Sequence, residues 1–256
     1  MKIGITITTR QRAHVLDLCL SYYALYLPKC DYEFWVIHDA NSETDDSDYL
    51  EMLKKYPFVR YHRNSERLGI AKSKTECLRK VQDCDYIFLN DDDIMPIRED
   101  WIDFFIGHST RTGINHFLYQ IDLPFLAKIG ENNGIGVYGQ CGGIMLFLTQ
   151  EVIKKVGAFE TRYAAPYSYE HANYSMRINQ AGLNNGYGQY LSPLGVNEVM
   201  FSLDYDMNNW GLRPPFHPDL VRDTFTSSVA GEEHLIPGWC GENARYLYPS
   251  KIYEPF

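Results

Sequence analysis

Apolar and polar positions alternate from Lys2 to Thr8 in a stretch rich in β-branched residues, which predicts a first strand. The spacing then changes. From Arg12 to Tyr26, Val15, Leu16, Cys19, Leu20, Tyr23 and Leu27 recur at helical intervals, and Pro28 closes the segment. Tyr32 to Ile37 is a short apolar run, as in a buried strand. The polar loop His38-Asp39-Ala40-Asn41-Ser42 follows, then a predicted helix from Asp46 to Tyr56 and a strand from Phe58 to His62. Gly69 to Val81 predicts a helix and Tyr86 to Leu89 a fourth strand. Beyond Asp93 the pattern is less regular. Glu99 to Gly107 predicts a helix, and residues 111–143 mix short apolar pieces with glycines. Ile144 to Leu148 predicts a strand, and Gln150 to Val156 and Ser168 to Gln180 predict helices, the last stopped by Gly182. From residue 184 onward Gly, Pro, Asn and Tyr predominate, which predicts loops and a C-terminal lobe or lid.

Strands alternating with helices predict an α/β fold: a doubly wound, mostly parallel sheet. In such sheets ligands bind beyond the carboxyl ends of the strands. Three of those ends carry polar groups here: Thr8-Thr9-Arg10, His38-Asp39 and Asn90-Asp91-Asp92-Asp93. The chain has 256 residues, enough for one such domain with a short appended lobe. We expect the core to span residues 1–183 and residues 184–256 to complete the acceptor side, as an appended lobe or as part of the same domain. A net charge of −9 argues against a basic nucleic-acid face. The six cysteines include no C-x-x-C pair, so they read as reduced thiols of a cytoplasmic protein. The opening MKIGITITTR reads as a strand rather than a leader, and no apolar run approaches a membrane span.

The acidic run directly follows an apolar strand. Adjacent carboxylates repel unless a cation relieves them. Hard divalent ions take oxygen ligands and keep positions open for phosphate oxygens. The run therefore suggests Mg2+ or Mn2+ bridging a diphosphate and acting as a Lewis acid. Its register is open: a D-x-D of Asp91 and Asp93, or a shifted reading through Asn90 and Asp92.

Four stretches resemble the GT-A glycosyltransferases, and in particular glycosyltransferase family 2. These are ITITTRQRAHVLDLCLSYY, FWVIHDANSETDD, RNSERLGIAKSKTECLRKVQDCDYIFLNDDDIMP, and GGIMLFLTQEVIKKVGAFETRYAAPYSYEHANYSMRINQAGL, together covering roughly residues 1–182. The resemblance implies a metal-dependent transfer of a sugar from a nucleoside diphosphate sugar, typically a UDP-sugar, to an acceptor hydroxyl. It places Thr8, Thr9 and Arg10 near the base and diphosphate, Asp39 on the base, and Arg67 and Lys72 near phosphate or ribose. Asp91 and Asp92 would meet the nucleotide, with Asp91, Asp93 and a late histidine on the metal. His217, between prolines, is preferred over His234, and Trp210 is a sugar-stacking candidate. The family's acceptor-side Glu-Asp pair is here Glu170-His171, either of which could take the acceptor proton. The run Glu170-His171-Ala172-Asn173 also resembles that of retaining polypeptide N-acetylgalactosaminyltransferases, which leaves the stereochemical outcome open.

Two other readings are open. A nucleotidyltransferase would use similar carboxylates, but Thr8-Thr9-Arg10-Gln11-Arg12 lacks the glycine-rich phosphate loop. The unusual Glu-His pair allows a nucleotide- or carbohydrate-binding module without activity. The expected acceptors are a glycan, a lipid-linked glycan, a protein or a modified nucleobase.

Overall fold

The computed structural model describes residues 1–122, 126–160 and 170–203. The predicted alternation is present: β1 (Lys2–Thr9), α1 (Ala13–Leu25), β2 (Asp31–His38), α2 (Ser47–Leu53), β3 (Arg60–Arg63), α3 (Ile70–Val81) and β4 (Tyr86–Asp91). They are followed by β5 (Ile94–Pro96), α4 (Trp101–Thr112), β6 (His116–Leu118), β7 (Lys128–Asn132), β8 (Ile135–Tyr138) and β9 (Met145–Thr149). The remaining described elements are α5 (Gln150–Val156), α6 (Glu170–Gln180), β10 (Leu191–Pro193) and β11 (Met200–Ser202).

The main sheet has the order β3-β2-β1-β4-β9-β6. β1 lies parallel to both β2 and β4, and β2 parallel to β3. β9 runs antiparallel to both its neighbours, β4 and β6. The sheet is thus mostly parallel, as the pattern predicted, with one reversed strand inserted beyond β4.

Period-two alternation explains the layering. Ile3, Ile5 and Ile7 of β1 join Phe34, Val36 and Phe88 in one core, with Leu16, Leu20 and Tyr23 of α1 and Trp101 and Phe105 of α4. Ile37, Ile87 and Leu89 point the other way, toward Ala71, Leu78 and Val81 of α3, Val152 of α5 and Tyr174 and Ile178 of α6. Gly4 sits where α3 crosses β1. A Cβ there would lie 2.6 Å from the Cβ of Val81, so only glycine allows this approach.

Several boundaries differ from the sequence expectation. α2 ends at Leu53 rather than Tyr56 because Lys55 and Tyr56 donate to Met52 and Leu53, three residues back, a tightened turn before Pro57. α4 runs on to Thr112 and stops at Gly113, whose φ of 70° is the left-handed cap glycine provides. Residues expected as loops beyond 184 include two short strands. β10 pairs with β8, and β11 pairs with β5. Three-residue strands are too short for their period to be read from sequence. The five described cysteines are free thiols, and no described helix is long and apolar enough to cross a membrane.

Candidate functional site

Parallel pairing brings the carboxyl ends of β1, β2 and β4 to one edge. Thr8 pairs with Ile37 on one side and Asp91 on the other, and Thr9 pairs with His38. Thr8 is half-buried, Thr9 is buried, and Arg10 is exposed at the start of the loop to α1. Gln11 in that loop has φ 53°, an unusual conformation for a side-chain-bearing residue. Asp39, just past β2, holds the loop into α3. Its Oδ1 accepts from Leu68 N at 2.7 Å and Asn64 Nδ2 at 3.2 Å, and its Oδ2 from Gly69 N at 3.0 Å. Gly69 adopts φ 76°, which lets both backbone donors face that carboxylate. Arg67 and Lys72 are exposed on either side of this turn.

The three aspartates diverge. Asp91 is the outward one, with its side chain 32% exposed, while Asp92 and Asp93 are 3% and 1% exposed. The Thr8 hydroxyl donates to Asp91 Oδ1 at 3.0 Å, and the Lys74 ammonium reaches the same oxygen at 2.6 Å. Asp92 Oδ2 accepts from Thr9 at 2.6 Å, and its Oδ1 lies 3.3 Å from Arg12. Burial pushes the Asp92 carboxyl up to about 7, against the opposing pull of Arg12. The Thr9 hydroxyl also meets Tyr49 at 3.2 Å, and Tyr49 stacks on His38 at 4.1 Å. Asp93 also bonds to the chain beyond this network. Its Oδ2 accepts from Ser202 at 3.3 Å, and its carbonyl accepts from Leu203 N at 2.8 Å, tying the acidic run to β11.

Among the described residues, no three His, Cys, Asp or Glu side chains gather into a group able to hold a metal. Mg2+ and Mn2+ need less from protein when a substrate supplies phosphate oxygens; one or two carboxylates suffice. Asp91 fits that role. Both of its named bonds fall on Oδ1, and its side chain reaches the surface at the tip of β4. His217 and His234, the expected late ligands, and Trp210 lie outside the described residues.

On the far side of β4, Asp91 N donates to Ile144 O at 2.8 Å. The preceding Gly143 supports the His171 ring: a Cβ there would lie 1.8 Å from Cδ2 and 2.4 Å from Nε2 of that imidazole. His171 Nε2 is 3.0 Å from Glu170 Oε1. Both side chains open α6 and are buried, Glu170 1% and His171 7% exposed. One turn on, Ser175 meets His116 Nε2 at 2.8 Å, and His116 Nδ1 donates to Phe147 O at 3.0 Å. Glu170-His171 is thereby brought to the same edge of the sheet as Asp91, across β9.

No protein-family model matches the sequence, and no curated protein matches it. Solved structures do match. The mannosyltransferase PcManGT from Pyrobaculum calidifontis, in complex with GDP-Man and Mn2+, superposes with a TM-score of 0.57 at 15% identity, over 76% of this chain and 55% of that one. S. aureus TarS 1-349 with UDP-GlcNAc gives 0.52 at 13% identity, covering 71% and 54%. GalNAc-T7 with UDP, GalNAc and Mn2+ gives 0.57 at 11% identity, covering 86% and 47%. The chain has a GT-A fold. It spans about half the length of these proteins.

Within the GT-A core the structure adds Lys74, which the sequence reading passed over for Lys72. Lys74 is fully buried with its ammonium on Asp91, whereas Lys72 is exposed. A signal was present. Lys74 lies four residues before Leu78 and seven before Val81, on the stripe that faces the sheet, and Lys72 is off it. Thr8, Thr9, Asp39, Asp91 and Asp92 are brought to one edge. Arg10, Arg67 and Lys72 lie near it with side chains in solvent.

Proposed function

We propose that this chain transfers a sugar from a nucleoside diphosphate sugar, with UDP as the expected nucleotide, to an acceptor hydroxyl, using Mn2+ or Mg2+. The observation that carries the reading is the tip of β4. Asp91 is the outward carboxylate of the acidic run, between Thr8 and the buried ammonium of Lys74, on the strand-end edge where GT-A ligands sit. Nearby proteins of the same fold are described with GDP-Man, UDP-GlcNAc and Mn2+, which supports the donor class.

In this reading Asp91 holds the cation; Asp93, expected beside it, is 1% exposed and bonded to Ser202, and His217, the other expected ligand, lies outside the described residues. When bound, the ion supplies charge neutralisation to the departing diphosphate. Thr8, Thr9 and Arg10 flank the diphosphate, and Asp39 shapes the base side by fixing the turn at Leu68–Gly69. Asp92 supports Thr9 and Arg12 from beneath. Exposed Arg67 and Lys72 are available to phosphate or ribose. Glu170 and His171 lie on the acceptor side.

The test is release of UDP or GDP from UDP-N-acetylglucosamine, UDP-glucose and GDP-mannose, with water as the default acceptor. Turnover should require Mn2+ or Mg2+ and fall at least about 100-fold in Asp91→Asn, the scale of losing one element of electrostatic stabilisation. Asparagine keeps an acceptor for Lys74 and Thr8 but not the charge, so turnover is compared at a temperature where urea unfolding shows both proteins folded. Undiminished turnover of Asp91→Asn in chelator would remove the reading. Nucleotide binding without any turnover would favour a binding module.

A further inference from the structure

The geometry points to a division of labour on the acceptor side: His171 Nδ1 takes the proton, Glu170 orients the ring, and Gly143 is the residue that lets the ring sit there. The inference rests on the glycosyl-transfer reading and assigns separate roles to two residues that reading leaves together.

A carboxylate only accepts hydrogen bonds. With Glu170 Oε1 at 3.0 Å, Nε2 of a neutral His171 must carry the hydrogen. Nδ1 then holds the lone pair. It is a buried atom with no hydrogen-bond partner, on a side chain only 9% exposed. Buried ring nitrogens normally find partners, and an orphan is explained when a ligand supplies the donor. A substrate hydroxyl is such a donor. A carboxylate behind one imidazole nitrogen and a proton-accepting lone pair on the other is an arrangement suited to general-base work.

Two further contacts fix the ring. Gly143 leaves room that any side chain would fill, since a Cβ would overlap Cδ2 at 1.8 Å. The residue after Gly143 accepts the backbone bond from Asp91, so the ring is held one residue from the donor-side tip. On the other side, Phe159 approaches edge-on with centroids 6.2 Å apart. Below, Ser175 and His116 anchor the next turn of α6 to β9 through Phe147 O.

The acceptor O–H bond breaks and its proton passes to Nδ1, while the oxygen bonds to the anomeric carbon. The bond from that carbon to the phosphate oxygen breaks, and its electron pair leaves with the diphosphate. Glu170 stabilises the imidazolium that forms.

Donor hydrolysis with UDP-N-acetylglucosamine, UDP-glucose or GDP-mannose and Mn2+ reads the assignment, with water as the proton source. His171→Ala should lower kcat by about 100-fold or more, with KM for the donor within about twofold. Glu170→Gln, whose amide oxygen still accepts from Nε2, should lose less than Glu170→Ala. Gly143→Ala should match His171→Ala and add nothing in that background. A His171→Ala enzyme with kcat within about threefold of wild type overturns the assignment. If the wild-type chain turns over no donor, the transfer reading fails on its own, and 15N NMR of the His171 ring decides the tautomer. An Nε2–H ring that becomes mixed in Glu170→Ala supports the assignment, and an Nδ1–H or mixed ring in wild type refutes it.

Discussion

His116 makes the fold sensitive to acid in a calculable way. It is fully buried beneath α6, with Nδ1 donating to the Phe147 carbonyl and Nε2 facing the Ser175 hydroxyl. The carbonyl can only accept, so this ring is neutral with its hydrogen on Nδ1. Burial lowers its pKa to about 4; the bond to Phe147 O resists the shift and His171 adds to it. In the unfolded chain the same ring titrates at the ordinary 6.5. Between those values the unfolded chain binds a proton that the native protein does not, so stability falls as pH drops from about 6.5 to about 4. A displacement of that size corresponds to roughly 3 kcal/mol when complete. The assay is urea unfolding at pH 7 and pH 4.5, comparing wild type with His116→Gln, which has no proton to gain. Other groups titrate in both proteins and cancel in the difference. Over that pH interval the shift is not yet complete, so wild type should lose roughly 2.5 kcal/mol more than the variant, about 1 M in the urea midpoint for a chain this size. An equal loss in both, or a native His116 that titrates near 6.5 by NMR, would refute the account.

Asp91 and Lys74 should respond unequally to truncation. Asp91→Ala strands a fully buried ammonium and should cost roughly 3 kcal/mol in urea unfolding. Lys74→Met leaves a carboxylate that still reaches solvent and Thr8, so its cost should be about 1 kcal/mol; the reverse order would contradict the burial of Lys74. Asp39→Ala removes the acceptor for Leu68 N, Gly69 N and Asn64 Nδ2 and should destabilise by roughly 2 kcal/mol, since bonds to a charged acceptor are the stronger ones. Amide exchange at Leu68 and Gly69 should speed up in that variant, and unchanged exchange there would show that the turn does not depend on Asp39.

Much of this molecule follows from local pattern. Period-two alternation fixed which face of β1 carries Ile3, Ile5 and Ile7, and helical spacing located α1, α3 and α5, because each periodicity is imposed by the backbone geometry of its own segment. The carboxyl ends of the first strands were legible as a shared edge, since parallel βα units leave no other place for them. Other features depend on residues far apart in sequence. The Asp93 carboxylate meets Ser202 from β11, and the seat of His171 depends on Gly143. Three neighbouring aspartates look equivalent in sequence. Only the packing of Thr9, Arg12 and Tyr49 around one, and of β11 against another, leaves Asp91 as the carboxylate at the surface. A sequence states which side chains are available; the packing of β9 and α3 on β4, and of β11 on β5, decides which of them water and substrate can reach.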